Sequence, residues 1–242
     1  IAGAARAAVV ACDLAEGGVL GPEHSLEGPY GYFAMFEDDA DVQSAAKALG
    51  KIHRITQVSW KPFPTGRAAQ GGIVLLQNLM TQGVTAENLE GLTLSAPPII
   101  PRLVNRPVVD NMTANYARLC FPYLGAITLL RGTVGLADFT PEDLCNPDIH
   151  ALAARISVET NHIKDPAEFV PQSMTAKLKN GEERIAITAK LFGSPADPLS
   201  QAQHIEKFRN CVAFGLSDIK DKAAEVAREL HRTMHGNDGF SR

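Results

Sequence analysis

Asn180-Gly181 falls between two runs of alternating apolar and polar residues, and no other feature restricts the fold as strongly. Asn-Gly is the favoured pair for a two-residue type I′ turn, because both central residues must take positive φ. With that turn, Met174 is predicted to pair with Ile187 and Ala176 with Ile185. Both apolar pairs would then lie on one half-buried face. The chain must therefore supply an antiparallel sheet and something to cover it.

The rest of the chain divides by its punctuation. Residues 2–16 are Ala-rich and predict a helix, ended by Gly17-Gly18. A loop follows to Gly31, then a short amphipathic helix over 41–49. Ile55 to Trp60 alternates imperfectly and predicts a strand. Helix is expected over Arg67 to Thr81, strand over Leu92 to Ala96, and one long helix over Met112 to Leu130. Thr140-Pro141 and Asn146-Pro147 each place a capping side chain before a proline at the first helical position. A strand at Arg155 to Glu159 precedes the hairpin. Ser200 to Gln203 form a capping box that opens a helix to Phe214, and 217–235 predict another. The order is helices, then β-α-β-α-α-β-β-β, then helices. This is an α+β chain: part of an all-helical domain with a smaller α/β domain inserted in it.

Composition excludes several functions. The formal charge is −4 and 21% of residues are charged, so neither nucleic acid nor an anionic membrane is an expected partner. No apolar run approaches the roughly 20 residues of a membrane span. Cys12, Cys120, Cys145 and Cys211 are widely spaced and predict reduced thiols in a cytoplasmic protein. The first residues, Ile1 to Ala5, hold no Met and no charged leader. They read as a helix entered midway, so an upstream segment is expected. His231 and His235 share a helix face without an acidic partner and predict a solvated surface, not a metal site. The remaining histidines are isolated. Asn111-Met112-Thr113 is discounted as a glycosylation site, for want of a secretory signal.

The chemistry concentrates in Lys61-Pro62-Phe63-Pro64-Thr65-Gly66-Arg67-Ala68-Ala69-Gln70. Two cations bracket a proline-stiffened loop before a helix. That helix start adds partial positive charge and free N–H donors. Arg67 can grip a carboxylate through two bonds, and Lys61 can supply a point charge or a proton. From its residues alone the segment reads more simply as a plain strand–helix connection with two surface cations. Asn105-Arg106-Pro107 is a second loop with a cation, and Tyr123 reads as core or interface.

These residues also resemble a family. Lys61 to Ile73 (KPFPTGRAAQGGI) is similar to the strand–loop–helix motif of the 2-methylcitrate dehydratase (MmgE/PrpD) family. Gly3 to Phe33, Asn105 to Pro107, Ala117 to Leu144 and Gly193 to Asn210 resemble further stretches of it, in the family's order. The resemblance covers the chain to about Leu216 and places it in the C-terminal half of such an enzyme.

The resemblance implies a helical domain in residues 1–52 and 197–242, and a lid domain in 53–196. It implies a homodimer with no metal or organic cofactor, acting on a small polycarboxylate. The expected reaction is dehydration, with decarboxylation of the cis-aconitate type or epimerisation as alternatives. The motif lysine carries over to Lys61 as the catalytic cation. Thr65, Gly66, Arg67, Gln70 and Arg106 are the expected substrate-binding residues. The family often has His where Gln70 stands, and sometimes at Gly66; Gln cannot titrate near neutral pH as His does. Its other acid and base groups lie upstream of Ile1, so the missing N-terminal half is an expected partner. A non-catalytic relative or assembly subunit is the alternative of another class.

Overall fold

The computed structural model describes residues 2–38 and 41–216, with positions 225, 226 and 229 beyond them. His231 and His235 lie outside the described residues, as does nearly all of the helix expected over 217–235. The chain divides into two compact units, Ile1–Thr56 and Gln57–Arg242.

The first unit holds α1 (Ala2–Glu16), α2 (Tyr32–Phe36) and α3 (Val42–Ala48), and a 3-10 turn at Arg54–Gln57 runs into the second. The Ala-rich run forms α1 as expected, and Gly18 leaves the helix at φ 89°. Asp41 caps α3 by accepting from the Ser44 N–H at 2.8 Å.

The second unit has a four-stranded mixed sheet with helices on one side. Its elements are α4 (Arg67–Thr81), β1 (Leu89–Ala96), α5 (Ile99–Val104), α6 (Ala114–Ala117), α7 (Phe121–Arg131), α8 (Pro141–Leu144), α9 (Pro147–Ala153), β2 (Ile156–Thr160), β3 (Gln172–Leu178), β4 (Glu183–Thr188) and α10 (Gln201–Gly215). The spatial order is β2-β1-β3-β4. β1 is parallel to β2, which requires the helical crossover through α5–α9, and antiparallel to β3. α4 packs on β3 and β4, α7 on β2, and the two helices pack on each other. Along β1 the buried Leu89, Leu92, Leu94 and Ala96 face this layer. Close approach depends on two glycines. A Cβ at Gly72 of α4 would lie 2.4 Å from Phe121, and one at Gly125 of α7 would lie 2.9 Å from Ile156. The chain is thus α+β, with caps at Thr140, Asn146 and Ser200 formed as their sequences predict.

Three local expectations are corrected. Ile55 to Trp60 is not a strand: it is the 3-10 turn followed by irregular chain, with one backbone hydrogen bond from Trp60 N–H to the Gly193 carbonyl. Ile55, Val58 and Trp60 are all exposed, so their alternation buries nothing. The long helix over Met112–Leu130 breaks at Arg118–Cys120. Pro122 has no N–H to donate and its ring would crowd the preceding turn, so it begins a new helix instead.

The hairpin forms, but one residue out of the predicted register. Met174 pairs with Ala186 and Ala176 with Arg184. The turn has three residues, Lys179-Asn180-Gly181, closed by Leu178 N–H on the Glu182 carbonyl and by Gly181 N–H on the Leu178 carbonyl, with Gly181 at positive φ (85°). This is a type I turn ending in a glycine bulge rather than a type I′ turn. The slip turns Ile185 and Ile187 outward, at 56% and 73% exposure, and buries Ala186.

Candidate active site

The Lys61–Arg67 segment is held from three directions. The first is its own helix. Gln70 lies on the first turn of α4 and is 1% exposed. Its Oε1 accepts from the Phe63 N–H at 3.1 Å. Its Nε2 donates to Thr65 Oγ1 at 2.6 Å and reaches the carbonyls of Phe63 (3.2 Å) and Gly66 (3.3 Å). Thr65 is buried as well, and Phe63 reaches the core. The amide of Gln70 is thereby committed to the loop.

The second is the break between α6 and α7. Because the helix stops there, the Arg118 carbonyl is free to accept from the Gly66 N–H at 3.1 Å. Gly66 has an ordinary φ of −61°, so glycine is not needed there for backbone freedom. It is needed for space: a Cβ would lie 2.5 Å from Leu119 Cδ2.

The third is the loop before α10. Gly193 accepts from the Trp60 N–H at 2.8 Å and donates to the Asp197 carbonyl at 2.7 Å. Gly193 has φ 85°, and a Cβ there would lie 2.2 Å from the Trp60 carbonyl oxygen. The Trp60 ring meets His204 of α10 edge-on, with centroids 4.9 Å apart. Lys61 follows directly and is exposed, with no ion pair among the described residues.

Arg67 begins α4 with its guanidinium 5.0 Å from the centroid of the Phe169 ring. Burial pulls its pKa down, yet a guanidinium stays charged in proteins. α4 has 15 residues and no acidic group in its first turn, so its positive end is unopposed from within the helix. The Lys61–Arg67 loop therefore presents two cations and a helix start, an arrangement suited to carboxylates.

Arg106 belongs to an adjoining feature. Its carbonyl accepts from Cys120 Sγ at 3.1 Å, so it hangs from the same α6–α7 break. The Cys120 thiol is buried, which pushes its pKa up to about 11 and keeps it protonated. The Arg106 side chain lines a cleft of about 480 Å³ to which none of Lys61–Gln70 contributes. Tyr123 is core: it is fully buried and donates to the Asp138 carbonyl at 2.6 Å. Sequence reasoning did not single out Phe169, Leu119 or the Arg118 carbonyl. Only Pro122 could have signalled the break that exposes that carbonyl. The four cysteines are unpaired. Among the described residues no three His, Cys, Asp or Glu side chains gather at metal-binding range, and no helix is long and apolar enough to cross a membrane.

Comparison with known proteins gives this geometry its context. The chain is similar to mouse (Mus musculus) cis-aconitate decarboxylase, 24% identical over 219 residues. The match covers 86% of this chain and 44% of that protein, so the chain spans less than half the length of the curated relative. The MmgE/PrpD C-terminal domain matches residues 63–233, a span that takes in Phe63, Thr65, Gly66, Arg67, Gln70 and Arg106, and begins two residues after Lys61. With more than half of its length matched by that domain, the chain belongs to the MmgE/PrpD family.

Proposed function

We propose that this chain is the carboxylate-holding part of a cofactor-independent lyase that dehydrates a small di- or tricarboxylic acid. The observation that carries the reading is the three-way bracing of the Lys61–Arg67 loop at the start of α4. A loop fixed by a buried glutamine, a helix break and a glycine contact is preorganised, and preorganised cations are worth more to developing negative charge than mobile ones. Residues 53–196 take the part of the family's lid, residues 1–52 and 197–242 belong to its helical domain, and the enzyme works as a homodimer.

In the reaction a base removes the proton next to a carboxylate, and the electron pair left on carbon spreads onto that carboxylate. Hydroxide then departs from the neighbouring carbon and leaves as water. Lys61 faces the carboxylate that takes up the charge; Arg67 and the N–H groups opening α4 hold a second one. Thr65 and Gly66 shape the loop, and Gln70 acts by fixing it. The remaining acid and base groups come from a polypeptide matching the part of the relative that this chain does not span.

Decarboxylation is the second reading, favoured by the name of the mouse relative. It passes through a carbanion of the same kind, formed by loss of carbon dioxide in place of a proton and then protonated on carbon. The test is turnover of 2-methylcitrate and cis-aconitate by the complete enzyme, with products identified as loss of water or of carbon dioxide. Lys61→Ala is expected to abolish most of either activity, and near-normal turnover in that variant would sink the assignment.

A further inference from the structure

The cleft beside Arg106 is built with more care than a surface hollow requires. The loop that carries it is pinned at three consecutive residues. Asn105 Nδ2 donates to the Val158 carbonyl of β2 at 3.1 Å. Cys120 Sγ donates to the Arg106 carbonyl at 3.1 Å. Tyr116 donates its hydroxyl hydrogen to the Pro107 carbonyl at 2.8 Å. The same Tyr116 ring lies under the Arg106 guanidinium, 5.3 Å from it. The side chains of Asn105, Cys120 and Tyr116 thus each commit a hydrogen bond to fixing the loop of a single arginine.

The chemistry of the lining is uneven. Pro107, Val108, Pro122, Ala153 and Ile156 supply apolar walls, and no Asp or Glu takes part. Arg106 is the only permanently charged side chain in the cleft and has no ion pair among the described residues. His150 also lines it. Its Nε2 lies 2.8 Å from the Leu144 carbonyl, which can only accept, so Nε2 carries the hydrogen and Nδ1 stays uncommitted. Ser157 contributes backbone only: its side chain alternates to the other face of β2, where its hydroxyl meets Thr93 Oγ1 at 3.1 Å.

From these features we infer that the Arg106 cleft is a second binding site, separate from the Lys61 loop, for a small organic carboxylate with a short apolar body. A single uncompensated guanidinium wants one carboxylate, which it can bind through two parallel hydrogen bonds. The apolar walls want the hydrocarbon that follows. A volume of about 480 Å³ lies within the ordinary range of small-molecule sites. Inorganic phosphate fits less well: it would fill little of the apolar wall and would find one cation where it profits from several.

The probe is hexanoate, titrated into the full chain by calorimetry, with hexanamide and inorganic phosphate as comparisons. Saturable binding with a Kd on the order of 0.1–1 mM is expected for hexanoate. Hexanamide, which has the same body without the charge, should bind at least about tenfold more weakly. Arg106→Gln should weaken hexanoate binding by about tenfold or more. Ala154→Phe, at an exposed position on the cleft wall, should block it without burying anything polar. Lys61→Ala should leave it unchanged, which separates this site from the proposed catalytic loop. Far-ultraviolet circular dichroism of each variant checks that the fold is kept. The inference is overturned if hexanoate does not saturate, if hexanamide or phosphate binds as well, if both cleft variants bind normally, or if Lys61→Ala alone removes binding.

Discussion

Gln70 Nε2 donates to Thr65 Oγ1 at 2.6 Å, the shortest of four hydrogen bonds by which one buried side chain fixes the loop that presents Lys61. The amide supplies both an acceptor and donors, so no apolar residue can replace it. Gln70→Ala leaves the Phe63 N–H without its partner and opens a cavity, and should cost about 2–4 kcal/mol. Lys61→Ala removes an exposed side chain and should stay within about 0.5 kcal/mol of the parent. Urea denaturation of the two variants compares a residue that builds the site with one that is presented by it. Equal losses would show that Gln70 does not hold the loop.

Gly72 is the point where α4 meets both α7 and β1. Propensity alone favours alanine in a helix interior by about 1 kcal/mol. Packing opposes it: the new methyl would meet Phe121 at 2.4 Å and Leu94 at 2.9 Å, with the Phe121 ring fully buried and unable to swing away. Overpacking should win, and Gly72→Ala should lower stability by about 1–3 kcal/mol. A raised melting temperature in that variant would mean that the two helices have room to separate.

Local signals in the sequence reach as far as local forces do. The caps at Thr140, Asn146 and Ser200 were legible because each cap and the N–H groups it satisfies lie within four residues of one another. Helix α4 was legible to its last residue for the same kind of reason. The hairpin failed by one residue inside its own turn, where Asn-Gly serves a three-residue loop as well as a two-residue one; the other failures involve what lies, or does not lie, beside the segment. Ile55–Trp60 has strand-like side chains but no strand beside it to pair with. The α6–α7 break needs Pro122 to be weighed above the helix-favouring run around it from Met112 to Leu130, and its use as an acceptor for Gly66 could not be read from either segment alone. The site shows the same division: the Lys61–Arg67 loop was legible as a motif, while Trp60 against Gly193, Arg67 over Phe169 and the cleft around Arg106 exist only once the sheet is assembled.

Arg131 closes α7 by gripping Asp143 twice, at 2.5 and 2.9 Å, and by pairing with Asp138. The guanidinium holds the Asp143 carboxyl below the usual carboxylate range. A lowered folded-state pKa means that this contribution is fully present above the unfolded value, near 3.9. It is lost as pH falls through the lower folded value. Acid denaturation should therefore steepen below about pH 4. Asp143→Asn should cost about 1 kcal/mol at neutral pH, a modest figure because solvent reaches Arg131. The variant should also show a shallower fall in stability through the acid range. An unchanged pH slope would assign the acid sensitivity to other carboxylates.

The register of the hairpin can be tested by where it tolerates charge. In the observed pairing Ile187 stands opposite Ser173 on the outer face of β4, and Ala186 stands opposite Met174 beneath the helices. In the register expected from a type I′ turn the two isoleucines would instead oppose Met174 and Ala176 and be buried. Ile187→Lys should then be nearly neutral, within about 0.5 kcal/mol, because it replaces an exposed apolar group on an edge strand with a charge that edges favour. Ala186→Lys should cost several kcal/mol, because it forces an unpaired ammonium against the helical layer. Gly181→Ala adds a control on the turn itself: its positive φ makes the substitution strained, by about 1 kcal/mol, in the three-residue turn. Chemical denaturation of the three variants decides the matter. A severe loss at Ile187 with tolerance at Ala186 would restore the two-residue turn.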